Sequence, residues 1–308
     1  MKKQLLATLV TAAACAPAFA EPTVYGKANV SFQLADENDV STTELTSNAS
    51  RIGVKGDLDV EGGLEVIYQA EFEVQFDDGD SDGETFSQRN IFIGVKGDFG
   101  AVKAGKFDTP LKVAQNKVDL FNDLEGDIKN MITVNDNRAD NIVSYESPNL
   151  AGFQGKFAVV SSELENQDDG FSASGSYTIE GLYLALALDQ DVEAEGVDAV
   201  RFVAQYSFAD IQLGAMYENL DPDQGNDADA LFFSAKYTLN DFAFKGQLGL
   251  SDIVEEDGRS VSLGVDYRIA KPLKVFAYYT MIDSDDVTEN AGQGTDNQYL
   301  GAGVELKF

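Results

Sequence analysis

The 308-residue sequence has no histidine, no tryptophan, one cysteine and six prolines. Without histidine the commonest general base is gone. With it go the usual transition-metal ligands and, beyond one cysteine, the thiol nucleophile, so an enzyme is not expected. The one cysteine, Cys15, falls within the first twenty residues, "MKKQLLATLVTAAACAPAFA". There Lys2 and Lys3 give a basic start, Leu5 to Ala14 an apolar run, and Ala18-Phe19-Ala20 a small-x-small ending, the pattern of a cleaved secretory signal. The run is too short to cross a bilayer as a helix. A lipoprotein reading through Cys15 conflicts with Ala12, which stands where a larger aliphatic residue is expected. Residues 1–20 are therefore expected to be removed, leaving 21–308 as a single domain that can form no disulfide.

Basic residues are also scarce: 22 Lys and Arg stand against 53 Asp and Glu, a formal charge of −31. Phosphate binding needs clustered cations, so nucleic acid is excluded as a partner. Strong acidity often marks disorder, but 44% hydrophobic residues, with 12 Tyr and 20 Phe, oppose that here. Long apolar runs are missing too, and with them any transmembrane helix after residue 20.

What the chain has is alternation. In "TVYGKANVSFQLA", Val24, Ala28, Val30, Phe32 and Leu34 oppose Tyr25, Lys27, Asn29, Ser31 and Gln33. In "SRIGVKGDLD", Ile52, Val54 and Leu58 oppose Arg51, Lys55, Asp57 and Asp59. About sixteen such segments run from 23–35 to 296–308, each reading as a strand with one apolar and one polar or small face. The segment "QRNIFIGVKG" is ambiguous, because Arg89 shares the parity of Ile91, Ile93 and Val95. Short connections such as "DFG" and "LND" tend to alternate with long acidic ones such as "DSDDVTENAGQGTDN". Alternation of that kind puts the short turns at one end of an up-and-down sheet and the long loops at the other. A closed transmembrane barrel satisfies every backbone group inside hydrocarbon and presents its polar face to a wet lumen. The tail "YLGAGVELKF" then closes the barrel, with Phe308 toward lipid or an aromatic girdle.

Between Phe107 and Arg138 about thirty residues lack alternation, a length uncommon without a role of its own. Elsewhere "DDGDSDG" sets Asp78, Asp80 and Asp82 at alternate positions before Gly83, part of a calcium-loop pattern. Arg89 replaces its closing Glu, which excludes an EF-hand; no cofactor or specific metal is expected. Such oxygens suit only weak Ca²⁺ or Mg²⁺ binding.

With these features in place, the chain resembles a general diffusion porin of the Gram-negative outer membrane over essentially its whole length. The resemblance is carried by the signal, "VYGKANVSF", "SRIGVKGDL", "GAVKAGKFDTP" before the long loop, and the terminal Phe308. It implies an all-β fold: a sixteen-stranded antiparallel transmembrane β-barrel, assembled as a homotrimer among outer-membrane lipids and lipopolysaccharide. It also implies that the outer-membrane insertion machinery reads the last strand. The loop at 107–137 becomes the third loop, folded into the pore. Its "VDLFNDLEGD" looks like the family's acidic tip and offers Asp119 and Asp123, with Glu125 and Asp127 beside them. The family's usual Pro-Glu-Phe-Gly-Gly sequence is absent, so the loop's local fold is not implied. Facing the acids, the family's basic wall matches Lys27, Arg51, Arg89 and Arg138. The expected function is passive diffusion of ions and small hydrophilic solutes through a water-filled channel, with a cation preference from the excess acid. The alternative is a non-conducting surface barrel serving as adhesin, receptor or anchor.

Overall fold

Period-two alternation should give strands with one face for lipid and one for an interior. The structure, a computed structural model, describes residues 22–60, 62–77, 83–284 and 295–308. The signal pattern and Asp78, Asp80 and Asp82 lie outside the described residues. Seventeen strand segments join edge to edge in one sheet. The first six are β1 (Thr23–Glu37), β2 (Val40–Ser47), β3 (Arg51–Val60), β4 (Leu64–Val74), β5 (Phe86–Gly97) and β6 (Gly100–Asp108). After the long loop come β7 (Arg138–Glu146), β8 (Phe153–Val160), β9 (Gly170–Ile179), β10 (Leu182–Gln190) and β11 (Val197–Phe208). The rest are β12 (Ile211–Pro222), β13 (Ala228–Leu239), β14 (Phe242–Ser251), β15 (Gly258–Ala270), β16 (Leu273–Asp283) and β17 (Asp296–Lys307).

Seventeen segments make sixteen staves. The half of β1 from Val30 to Glu37 pairs with β2, and the half from Thr23 to Lys27 pairs with β3. Segments β2 and β3 thus form one stave, broken at Asn48-Ala49-Ser50, where Ala49 takes a φ of 46°. Ser50 ties the break down: its hydroxyl donates to the carbonyl of Asn29 (3.0 Å) and accepts the N–H of Asn29 (2.9 Å). Alternation alone starts this stave at 48, because "VSTTELTS" carries too little apolar side chain to register.

The barrel closes where β1 pairs antiparallel with β17, from Lys27 opposite Lys307 to Glu37 opposite Asn297. At that seam Gly26 donates its N–H to the Phe308 carbonyl (2.8 Å), and Phe308 donates back to Gly26 (3.1 Å). The Phe308 ring lies over Gly26, where a Cβ would stand 2.4 Å from it. Tight turns such as Glu180-Gly181 and Ala209-Asp210, which open with residues of positive φ, gather at the end of the barrel that holds this seam. The long connections gather at the other end, together with the two-residue turn Asn38-Asp39 (φ 50° and 68°).

Two register shifts decide which side chains face inward. On β4 and β5, Ala70 pairs with Ile91 but Phe72 pairs with Gln88, so β5 holds an extra residue. The bulge flips its parity. Arg89 therefore points into the barrel although it shares sequence parity with Ile93 and Val95, which are exposed on the outside. A second shift lies between Gly105–Ile142 and Phe107–Ala139, next to Arg138. The outer surface is apolar, with Val24, Phe32, Leu34, Leu186, Leu263 and Leu300 all exposed, as a lipid-facing surface requires.

Candidate functional site

The segment 109–137 runs inside the barrel, seated on β9 to β15. It opens with a short helix, α1 (Pro110–Ala114), whose N-cap Thr109 accepts the N–H of Lys112 (3.2 Å) and whose proline suits the first turn. Leu111, Val118, Phe121, Ile128, Met131 and Ile132 are fully or almost fully buried against it. Opposite them the inward positions are small or apolar: Ala185, Ala187, Ala199, Val203, Ala230 and Phe232. Inward polar side chains satisfy the segment's backbone. Gln212 donates to the Lys117 carbonyl (2.8 Å), Tyr183 to that of Ala114 (3.0 Å) and Ser251 to that of Ile132 (3.0 Å). Gln247 accepts the N–H of Leu120 (3.2 Å) and donates to the Gly126 carbonyl.

One ion pair in this seat is wholly dry. Arg201 on β11 donates through Nε to Glu218 on β12, and neither side chain is accessible to solvent. Arg201 Nη2 reaches Thr133 Oγ1 (3.0 Å), and that hydroxyl donates to the other Glu218 oxygen. Arg201 Nη1 also reaches the Leu111 carbonyl at 3.5 Å, so the guanidinium holds both ends of the segment to the wall.

At the far tip Asp123 meets the opposite wall. Its Oδ2 accepts from Lys27 Nζ and from Arg51 Nη2 (2.6 Å). Burial pushes its carboxyl up, but Lys27 and Arg51 outweigh burial and hold it below the usual carboxylate range. Asp123 sits at a φ of 69°, and the Asp127 carboxylate steadies that turn by accepting its N–H (2.9 Å). Asp127 also caps the 3₁₀ turn Ile128–Asn130 through the N–H of Lys129 (3.1 Å). Burial raises the Asp127 carboxyl despite the opposing Lys129. Asp119 is elsewhere: half-buried, it accepts the N–H groups of Phe121 (2.9 Å) and Ile128 (3.2 Å), a brace within the segment. Burial, with Asp127 nearby, pushes its carboxyl well up. Glu125 accepts from Gln33 Nε2 on β1 (2.9 Å); burial raises its carboxyl against that hydrogen bond.

Between tip and wall lies a cavity of about 670 Å³. Arg51, Arg89 and Arg138 line it from the wall, and Asp123, Glu125 and Asp127 from the segment. Lys27 stands beside it, through Asp123. Lys27 and Arg51 share Asp123, and the other two wall cations have acids of their own. Arg89 donates to Glu71 (3.0 Å) and Glu73, Arg138 to Asp108 (3.1 Å) and Asn90 (2.9 Å), and Tyr25 to Glu71 (2.9 Å). Sequence reasoning missed Glu71, Glu73 and Asp108. The first two were readable as the polar face of β4, which meets the arginine stave only through the bulge. It also missed Lys112, Lys117 and Lys129, which bring the lining to six basic and six acidic side chains. Oriented charges of both signs across a water-filled gap order water and polar solutes, and leave apolar ones without compensation.

A closed sheet with an apolar exterior, a charged interior and an internal loop defines a barrel of the bacterial outer membrane. Residues 7–287 match the family model described as Gram-negative porin, and the chain belongs to that family. It is 34% identical over 181 residues to major outer membrane protein P.IB of Neisseria sicca, covering 55% of this chain and 50% of that protein. Outer membrane porin protein 32 of Delftia acidovorans is 32% identical over 185 residues, 54% and 51% of the two. The chain spans about half the length of these curated relatives in those matches. Among solved structures, the anion-selective porin from Comamonas acidovorans superposes with a TM-score of 0.81 at 21% identity, over 94% of this chain and 100% of that one. OmpF of Salmonella typhi, in complex with daunomycin, gives 0.72 at 16%, over 93% and 97%. Both likenesses are of fold.

Proposed function

We propose that the protein is a passive channel of the outer membrane, filled with water, through which ions and small hydrophilic solutes diffuse. One observation carries this: the cavity held open between the Asp123 tip and the Arg51, Arg89 and Arg138 wall. Segment 109–137 is the constricting loop, Asp123 its working acid, and Asp119 and Asp127 its internal braces. A cation preference follows from the excess acid in the long connections, among them Glu163, Glu165, Asp168 and Asp169. It is modest and fades with salt, because the constriction itself is balanced and the distant acids are screened beyond about 8–10 Å. Assembly as a homotrimer, weak divalent bridging to lipopolysaccharide, and delivery by the insertion machinery belong to the same reading.

The test is a planar bilayer under a KCl gradient. Stepwise conductance with a cation-selective reversal potential that shrinks at high salt is expected. Folded, heat-modifiable protein that conducts nothing would overturn the channel and favour a surface barrel.

A further inference from the structure

A second charged region lies below the loop, in the half of the lumen nearer the tight turns. Lys236 on β13 stands directly opposite Lys245 on β14, and Arg268 on β15 opposite Lys274 on β16. Like charges placed opposite each other on one sheet face destabilise it. Two such pairs on consecutive hairpins have no structural use. Their neutralisation is uneven: Arg268 meets Asp241 at 3.5 Å, whereas Lys236 has no carboxylate within ion-pair distance among the described residues. Asp266 is shared by Lys245 (2.9 Å) and Lys274 (3.1 Å), and Glu305 by Lys274 (3.7 Å) and Lys307 (3.1 Å). Lys236 is bonded to the neutral Gln212 (2.8 Å), and Lys117 of the loop is close enough to repel it. Lys236, Arg268, Lys274, Lys307, Asp266 and Glu305 border a cavity of about 330 Å³ whose lining has five basic and three acidic residues.

We propose that this vestibule is a binding station for small polyvalent oxyanions, of which inorganic phosphate and phosphate monoesters are the class. Lys236 is its primary donor and Lys274 and Arg268 complete it. Ammonium and guanidinium groups donate several charge-assisted hydrogen bonds to phosphate oxygens, and a lining with more bases than acids favours a divalent ligand over chloride. The station deepens the channel reading and rests on it for the route by which the anion arrives. It also means that the net charge of the chain misdescribes the lumen.

The test is equilibrium dialysis of the detergent-purified full chain against radiolabelled phosphate at low salt, with KCl conductance of the same preparation recorded in parallel. Saturable binding is expected, weakened about two- to fivefold in K236Q, the range for a partly exposed charge pair, and restored in K236R. K96Q is the control. Lys96 is paired with Glu65 (3.0 Å) at the same end of the barrel on another wall, and its loss should leave binding unchanged. Non-saturable phosphate uptake, or equal losses in K96Q and K236Q, overturns the station in favour of bulk charge. Conductance without phosphate binding sinks the station alone, whereas binding without conductance keeps it and sinks the channel.

Discussion

Removing the Arg201 guanidinium is the sharpest probe of how segment 109–137 is held. In R201M the Glu218 carboxylate keeps one hydrogen bond, from Thr133, and stays in a site that solvent does not reach. Breaking a buried pair from one side costs about 3–5 kcal/mol, because an uncompensated charge is left behind. At about 1.4 kcal/mol per tenfold, that shifts the docking equilibrium of the segment by roughly two to three and a half orders of magnitude. The staves lose none of their backbone ladder, so the temperature at which the folded band disappears on a gel should change little. What should change is access: faster thermolysin cleavage within 109–137 and a noisier open-channel current. Replacing both partners with apolar residues of similar volume removes the stranded charge and is often neutral or better, so R201M/E218L should recover most of the protection. The reasoning is refuted if R201M resists protease as wild type does, or if the double variant is as labile as the single one.

Three further outcomes follow from the same contacts. D123N strips Lys27 and Arg51 of their shared carboxylate, so single-channel conductance should rise and selectivity move toward anions, read as a shifted reversal potential. The Asp123 carboxyl lies below its ordinary value, so its pairing is complete above about pH 4 and is lost as pH falls through the lower folded value. A current change confined to that acid limb should be present in wild type and absent in D123N. D127A removes the cap on the 3₁₀ turn and the hold on the N–H of Asp123, costing about 0.5–2 kcal/mol and raising current noise without altering heat stability. In G249A a Cβ would stand 2.1 Å from Ile132 Cδ1, and overpacking of about 1–3 kcal/mol should expose the segment near Ile132 to protease.

The sixteen staves were legible because a lipid-facing row must be apolar and its neighbour row need not be, which is a period of two that composition cannot hide. Where that contrast failed, the failures had physical meaning. Arg89 seemed to share a face with Ile93 because a bulge, invisible to a fixed period, turns the strand between them. "LYLALALDQ" on β10 is apolar on both faces, since Ala185 and Ala187 look inward onto the helix α1 and the chain beyond it. A stave with no wet side signals that something covers it, and that signal could have located the seat from sequence. The acids at 119, 123, 125 and 127 could not be sorted by type or spacing. Only the backbone path separates Asp123, which meets Lys27 and Arg51, from Asp119, which turns inward to hold two N–H groups. The basic residues after 230 went unremarked because opposition across hairpins depends on register, which "FKGQLGL" or "DYRIAKPLK" does not reveal by itself.

The apolar seat under segment 109–137 leaves the molecule with two stabilities that answer to different surroundings. The hydrogen-bonded staves face hydrocarbon, where no competing donor reaches them. The packing of Phe121, Ile128 and Ile132 instead depends on excluding water from a compartment that opens to the bath. Urea dissolved in that bath weakens apolar packing wherever it can penetrate, and the lumen is within its reach while the membrane interior is not. A chaotrope should therefore melt the plug inside an intact cylinder and, on dilution, let it settle back. The part of the fold that senses solvent is the part that sets the width of the passage.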